Sequence, residues 1–239
     1  MAMTKELARK KLPIAVQLYS IRDAMEQDFW GTLRQVKDMG YAGVEFAGYY
    51  GQKAADIRKE LDRLGLVALS AHVAIDAWKK DLLGTLAFHR ELGMKFLAIP
   101  YLDEASRPGT PGWPATVTLI RTVAEACAKA GIQLLYHNHD FEFVRIDGEY
   151  ALDRLYREIP MPLLATEIDT CWVRVAGVDP AEYLRRYAGR APLVHLKDFF
   201  ASAAAGSAPK YALIDKDGKD QGAIDKSDFD LRPLGMGVQ

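Results

Sequence analysis

The stretch ATVTLIRTVAEACAKAGIQLLYH, residues 115–137, indicates how the chain is built. Its first part spaces apolar residues as a helix does, and its last part, Gln133–His137, is a short apolar run typical of a buried parallel strand. Gly131 stands between them, and glycine suits the position just after a helix because it reaches positive φ without a Cβ penalty. We therefore predict a helix, Ala115–Ala130, that leads into a strand. Its apolar face is formed by Val117, Ile120, Val123, Ala124 and Cys127.

The same order of amphipathic stretch, glycine and apolar run recurs at Gly40, Gly65 and Gly93. A second clear helix is predicted over Phe29–Met39, with Leu33 and Val36 on one face. Alternation of helices with short apolar strands predicts repeated βα units. Seven strands are expected, near Ile14–Leu18, Gly43–Phe46, Val67–His72, Phe96–Ile99, Gln133–His137, Leu164–Asp169 and Leu193–Lys197.

Seven βα strands fit either an open doubly wound sheet or a barrel. The first βα turn, Tyr19–Asp23, has no glycine-rich phosphate fingerprint, which removes the main argument for a dinucleotide-binding sheet. We therefore predict an α/β chain of the (β/α)₈ TIM barrel class, with residues 1–239 forming a single domain. Since the sequence ends at Gln239, we expect a barrel truncated after strand 7 and its following loop, without the C-terminal βα portion.

Composition argues against several classes of protein. The 239 residues are 49% hydrophobic and 26% charged with a net charge of −1, which leaves no excess of positive charge for nucleic acid. The N-terminal residues are charged, and no later run approaches the roughly 20 apolar residues that span a bilayer. We expect no membrane association and a cytoplasmic location, unless an export signal has been removed. Cys127 and Cys171 are expected to be buried free thiols rather than a disulfide or a metal pair.

Polar side chains collect where the predicted strands end, and in a TIM barrel these carboxyl ends form the active site. One histidine at a strand end is more often structural than functional, but five such strands reverse that expectation. Because side chains alternate along a strand, Glu167 and Asp169 should face one side, and so should His195 and Lys197. Carboxylates with imidazoles suit Mn²⁺, Mg²⁺ or Co²⁺, and also Zn²⁺. The residues are Glu45, His72, His137, Asn138, His139, Asp140, Glu142, Glu167, Asp169, His195 and Lys197.

Six segments, in this order along nearly the whole chain, resemble the xylose-isomerase-like barrels, a family often called sugar phosphate isomerases/epimerases. The resemblance implies that residues 1–239 form one such barrel domain. It is more specific for the fold than for the reaction. The segments are AVQLYSIRD (15–23), GVEFAG (43–48), SAHV (70–73), YHNHDFEF (136–143), EIDTCW (167–172) and VHLKDF (194–199).

The resemblance implies one divalent metal ion, Mn²⁺ first, with ligands from strands 5, 6, 7 and 8. Asp169 and His195 match the strand 6 and strand 7 ligands. The glutamate that many relatives carry early in strand 5 falls near Tyr136 here, so Glu142 is the first candidate, and His139 or His137 could replace it. The fourth ligand would lie beyond Gln239. The chain is then a fragment, or a neighbouring subunit of a homo-oligomer closes the barrel, or the metal site is incomplete.

The family's commonest chemistry is isomerisation or epimerisation of a keto-sugar or sugar phosphate, by proton abstraction next to a carbonyl through a metal-stabilised enediolate. Small-molecule sugars are therefore the expected partners. In that reading Glu142 is the base, with His139 the second choice, and Lys197 stabilises developing negative charge. Substrate-binding roles fall to Glu45, His72, His137 and Trp172, the last offering an apolar face to the sugar.

Two alternatives stay open, and a third is disfavoured. The same residues could drive β-elimination from a 3-keto-glycoside or dehydration of a cyclic keto acid. A barrel that binds sugar without catalysis is the second alternative. The zinc-dependent abasic-site endonucleases share the barrel but need more histidines and a basic face, and the five histidines and near-zero net charge of this chain argue against them.

Overall fold

A computed structural model describes residues 12–201 and 229–238. The chain divides into two compact units. The first contains residues up to 100 together with residues 122–134, and the second contains residues 101–121 together with those from 135 onward. That residues 1–239 form one domain stays a prediction, and each unit is described below by itself.

Four parallel strands form the centre of the first unit. Gly43 pairs with Val67, and a Cβ added at Gly43 would lie 2.7 Å from the Val67 carbonyl oxygen. Only glycine therefore allows these two strands to approach so closely. The strands are β1 (Ala15–Gln17), β2 (Gly43–Phe46), β3 (Val67–His72) and β4 (Phe96–Ile99).

Five helices accompany these strands, and local sequence sets their ends. The Asp28 side chain accepts a hydrogen bond from Gly31 N (2.8 Å) at the start of the second helix. Gly65 adopts φ +62° after the third, as the recurring glycines predict. Phe29, Leu33 and Val36 are buried along one face, which confirms the predicted apolar stripe. The helices are α1 (Arg22–Gln27), α2 (Phe29–Asp38), α3 (Ala54–Leu64), α4 (Ile75–Lys80) and α5 (Leu82–Glu91).

Two elements, α6 (Trp113–Lys129) and β5 (Gln133–His137), begin in one unit and end in the other. The second unit also contains the parallel strands β8 (Leu164–Asp169) and β9 (Leu193–His195), in which Asp169 pairs with His195. Two antiparallel pairs complete its strands. They are β6 (Arg145–Ile146) with β7 (Glu149–Tyr150), and β10 (Asp198–Ala201) with β11 (Phe229–Arg232).

The helices of the second unit are α7 (Ala151–Glu158), α8 (Thr170–Val175) and α9 (Pro180–Arg186). Arg190 stabilises the end of α7, because its guanidinium donates to the carbonyl oxygens of Tyr156 (2.7 Å) and Ile159 (2.6 Å). Leu152, Leu155 and Tyr156 bury the apolar face of α7. These contacts support the strand β8 that follows.

All seven predicted strands are present, and five have the predicted bounds. The last prediction was too long, since β9 ends at His195 and the chain then leaves to start β10 at Asp198. The apolar run through Leu196 does not reveal that change, because antiparallel pairing of β10 with β11 decides it. Among the described residues, no helix is both long enough and apolar enough to cross a membrane.

Candidate active site

In the first unit, polar side chains at the strand ends surround the buried carboxylate of Glu45. Its oxygens accept hydrogen bonds from the Gln17 amide and the Ser70 hydroxyl, and the Nε2 atom of His72 lies 3.1 Å from Oε1. The Gln17 side chain in turn accepts from Tyr19 N at 2.9 Å. We call Gln17, Glu45, Ser70 and His72 the Glu45 network. It places one acceptor group among three donors.

In the second unit, strand ends bring a different set together around Asp169. Its Oδ2 atom lies 3.2 Å from His137 Nε2, 2.5 Å from Lys197 Nζ and 3.9 Å from His195 Nδ1. Glu167 lies two residues earlier on β8, with Oε1 3.6 Å from His195 Nε2. We call His137, Glu167, Asp169, His195 and Lys197 the Asp169 cluster. Glu167 and Asp169 are fully buried, so both carboxylates are shielded from bulk water.

Both pairs predicted from alternation reach this cluster. Glu167 and Asp169 each approach His195, and His195 and Lys197 each approach the Asp169 carboxylate. One ligand atom from each of His137, Glu167 and His195 lies within 4.8 Å of the others. Two imidazoles and a carboxylate that converge in this way form a donor set that fits a divalent metal ion.

Backbone contacts fix the positions of the two strand ends. Asn138 accepts from Asp169 N at 2.9 Å, and Thr170 donates to the His195 carbonyl oxygen at 3.1 Å. The other oxygen of Asp169, Oδ1, caps α8 by accepting from Cys171 N (3.0 Å) and Trp172 N (3.3 Å). One carboxylate therefore orders a helix start with one oxygen and faces the cluster with the other.

Neighbouring charges determine the protonation states of Asp169 and Lys197. Burial alone would raise the pKa of Asp169, but the Lys197 ammonium and the two neighbouring histidines hold that pKa well below its ordinary value. Burial would lower the pKa of Lys197, yet the Asp169 carboxylate raises it above its ordinary value. Asp169 is therefore an anion and Lys197 a cation over the physiological pH range.

Glu142, the predicted strand 5 ligand and base, lies fully buried in the turn after β5. Its Oε1 atom accepts from the Tyr136 hydroxyl and its Oε2 atom accepts from His139 N, both at 2.8 Å. Burial raises the pKa of Glu142 to about 8, although both hydrogen bonds act to lower it. Both oxygens thus hold the turn that carries His137 and His139. The predicted ligand role stays a prediction, and these contacts favour a positioning role.

His139 lies in an aromatic pocket of the second unit. Its ring stacks on Phe141 at 5.5 Å with an interplanar angle of 3°, and meets Tyr101 edge-on at 5.4 Å. The Trp172 ring lies 5.1 Å away, and the Arg107 guanidinium lies 4.4 Å from the Phe141 ring. These ring contacts restrict the orientation of the His139 imidazole.

The structure therefore divides the predicted site residues by unit. His137, Asp169, His195 and Lys197 converge in the Asp169 cluster, whereas Glu142, His139 and Trp172 lie in the turn after β5 and its aromatic pocket. Glu45 and His72 belong to the Glu45 network. No measurement tests the predicted roles of these residues, which stay predictions.

Some participants were missed by the site prediction. Glu167 was expected to face the same side as Asp169 but was not chosen as a ligand, although its spacing carried that signal. Nothing in the sequence identified Gln17 and Ser70 as donors to Glu45. Asp198 was also missed. Its Oδ2 atom accepts hydrogen bonds from Gly235 N (3.0 Å) and Gly237 N (2.9 Å). These bonds hold the loop after β11 at Asp198, the first residue of β10.

Residues 33–238 match the family described as the xylose isomerase-like TIM barrel. The chain belongs to this family. The predicted fold class, α/β of TIM barrel type, and the predicted resemblance are both confirmed by this match.

Two curated relatives resemble the chain at low identity. Inosose dehydratase of Geobacillus kaustophilus is 24% identical over 70% of this chain and 60% of the relative. Rhizopine catabolism protein MocC of Rhizobium meliloti is 28% identical over 70% of this chain and 56% of the relative. The chain thus spans less than two thirds of the length of these two relatives.

A solved sugar phosphate isomerase/epimerase from Parabacteroides distasonis superposes with a TM-score of 0.69 at 23% identity, covering 84% of this chain and 80% of that one. At this identity the likeness shows the fold alone. Family members are enzymes whose names include isomerases, epimerases and dehydratases.

Proposed function

We propose that this chain is a metal-dependent enzyme that moves a proton at the carbon next to a carbonyl, as an isomerase or epimerase of keto-sugars or sugar phosphates. The observation that carries the proposal is the convergence of His137, Glu167 and His195 within 4.8 Å, beside the ionised Asp169. Structural ion-pair networks also gather charges at strand ends. Burying two carboxylates beside two imidazoles adds little net stability, because the desolvation of buried charges offsets their attraction. The arrangement therefore favours a set of metal ligands over a purely structural network.

The donor set favours some divalent metals over others. Imidazole nitrogens suit Mn²⁺, Co²⁺ and Zn²⁺ better than Mg²⁺, while carboxylate oxygens suit Mn²⁺ well. We propose Mn²⁺ first. The ion would be held by His137 and His195 together with either Glu167 or Asp169. A bound divalent metal would act as a Lewis acid on the substrate carbonyl and lower the cost of removing the neighbouring proton.

The side chains around this set have separate tasks in the proposal. Asp169 orients the His137 ring through its contact with Nε2, as an outer carboxylate commonly does for a ligating histidine. Lys197 keeps Asp169 ionised and supplies a positive charge beside the position where negative charge develops on the substrate. Asp169 is fully buried, and this shielding from water strengthens its interaction with Lys197.

His139 is the group that we propose to carry the proton. It is a buried imidazole in the pocket next to the cluster, and its ring lies 5.1 Å from the His137 ring. Imidazole exchanges protons near neutral pH more readily than other side chains do. Glu142 fixes the backbone of His139 through its contact with the amide nitrogen, so it positions the base rather than acting as one.

Dehydration of a cyclic polyhydroxy ketone is the second candidate. The observation that favours it is the similarity to inosose dehydratase over 70% of this chain. Such a reaction begins with the same removal of a proton next to the carbonyl. It differs in the next step, when the hydroxyl on the adjoining carbon leaves as water.

The proposal is tested by incubating the Mn²⁺-loaded protein in deuterated water with an inosose, a ketohexose and a ketopentose, and following each by NMR and mass spectrometry. Isomerase or epimerase action exchanges one carbon-bound proton and keeps the skeleton intact, whereas dehydratase action removes the mass of one water. His139→Gln should lower the exchange rate by about 100-fold or more, since it removes the proposed proton carrier. Lack of exchange and of product with every substrate would overturn the proposal.

A further inference from the structure

The indole nitrogen of Trp172 is a buried donor that lacks a hydrogen-bond partner among the described residues. Only 2% of the residue is exposed, so the indole is shielded from bulk solvent. Buried indole N–H groups normally find a partner, and leaving one unmatched costs about 1–3 kcal/mol. An unmatched donor at this depth needs an explanation.

Trp172 adjoins the residues that carry the proposed function. Its backbone nitrogen is held by Asp169 at the start of α8, and its ring lies 5.1 Å from the His139 ring. On another side the ring stacks on Phe229 at 5.9 Å. The side chain is therefore fixed between the Asp169 cluster, the proposed proton carrier and the hydrophobic core.

We propose that Trp172 Nε1 donates a hydrogen bond to a hydroxyl or carbonyl oxygen of the substrate, and so determines which polyhydroxy ketones bind. This inference rests on the proposed function and deepens it. The indole N–H can donate but cannot accept. It therefore selects an oxygen acceptor.

The proposal differs from a packing role in what it predicts for the ligand. A tryptophan that only packs would contribute equally to all substrates of similar shape. A donor directed at one oxygen discriminates against an analogue that lacks this oxygen, by about tenfold for one neutral hydrogen bond.

The first test observes the indole directly. Protein labelled with ¹⁵N in its four tryptophan side chains is titrated with an inosose, a ketohexose and a ketopentose in the presence of Mg²⁺, which is diamagnetic and does not broaden the indole resonances as Mn²⁺ would. The Trp172 resonance is assigned by its loss in Trp172→Phe. We expect it to move downfield on saturation with at least one of these compounds, as an N–H does when it gains an acceptor. A Trp172 resonance that none of the three compounds moves downfield would overturn the inference.

The second test measures affinity. Trp172→Phe keeps an aromatic ring and removes the donor, and it should weaken binding of the compound that moved the resonance by about tenfold. Trp113→Phe is the matched control, because it removes another largely buried indole of the same unit. Singly deoxygenated analogues complete the cycle. For one of them, the wild type and Trp172→Phe should bind equally, because the recognised oxygen is absent.

The outcomes also separate this inference from the proposed reaction. Proton exchange that proceeds while Trp172→Phe binds as tightly as the wild type overturns the inference alone, and an ordered water then satisfies the indole. A Trp172 response without exchange or product for any compound supports the binding role and overturns the reaction. A tenfold loss that persists for every deoxygenated analogue would mean that Trp172 only packs, which overturns the donor role.

Discussion

The Glu45 network and the Asp169 cluster occupy equivalent places at strand ends in the two units, yet their chemistry differs. In the first, one carboxylate is matched by an amide, a hydroxyl and an imidazole. In the second, two fully buried carboxylates and two imidazoles gather around one ammonium group. The difference shows that the same residue types at strand ends meet different partners in the two units. The balance of donors and acceptors around each carboxylate distinguishes a hydrogen-bond network from a ligand set.

The strongest test of this comparison is metal binding. His195→Ala removes a proposed ligand and should lower the affinity for Mn²⁺ by more than about 100-fold. Asp169→Ala should lower it by about 10- to 100-fold, the effect of losing a carboxylate that orients a ligand. Asp76→Asn, which removes an exposed ion pair with Lys79, should leave the affinity nearly unchanged. Equilibrium dialysis with atomic absorption measures all three. If both cluster variants retained metal, the Asp169 cluster would lose its proposed role.

A smaller effect is expected for the folding stability of the first unit. Glu45→Gln replaces one acceptor oxygen by an NH₂ group that faces existing donors, so at least one buried donor loses its partner. We expect a loss of about 1–3 kcal/mol in the free energy of unfolding, measured with urea.

The matched control is Asp76→Asn, which removes the exposed ion pair with Lys79 at 3.0 Å. That change should cost less than about 1 kcal/mol. Equal costs for the two variants would contradict the description of Glu45 as the centre of a satisfied network.

The smallest expected effect concerns a buried imidazole of the first unit that lies outside the Glu45 network. His89 Nδ1 lies 2.6 Å from the Thr85 carbonyl oxygen, and burial lowers the pKa of His89 below its ordinary value despite this bond. The folded state therefore binds fewer protons than the unfolded state just below pH 6.5. Stability should fall as the pH decreases from about 7.5 through this region, because protons favour the unfolded chain.

Urea unfolding of metal-free protein at several pH values measures this slope. His89→Gln should lower the slope, since the other histidines are unchanged in the variant. Identical slopes would mean that His89 does not titrate differently in the folded and unfolded states, and that its neutral, packed state has been assigned incorrectly.

The sequence predicted strand positions better than it predicted side-chain roles. The bounds of β2, β3, β4, β5 and β8 were correct because these strands are short and mostly apolar, and because glycines follow the helices before the first four of them. The end of β9 was wrong, since the turn toward β10 depends on pairing with β11, a strand far along the chain. Long-range pairing of this kind leaves little trace in local composition.

The same limit applies to Glu142 and Trp172. Their positions in the family-like segments marked them as candidates, but the sequence did not reveal that Tyr136 and His139 occupy both oxygens of Glu142. Nor did it reveal that the indole of Trp172 is buried without a described partner. Hydrogen-bond partners depend on distances of a few tenths of an ångström between residues from different elements, and residue type does not specify these distances.

The sequence alone determined the βα repetition, the family and the set of polar residues at the strand ends, because these follow from periodicity, glycine positions and ordered motifs. Only the tertiary structure decided which carboxylates meet imidazoles. It joined Asp169 with His137, His195 and Lys197, and assigned Glu45 to a hydrogen-bond network. The physical reason is that strand register brings together residues far apart in sequence, and burial then fixes their charge.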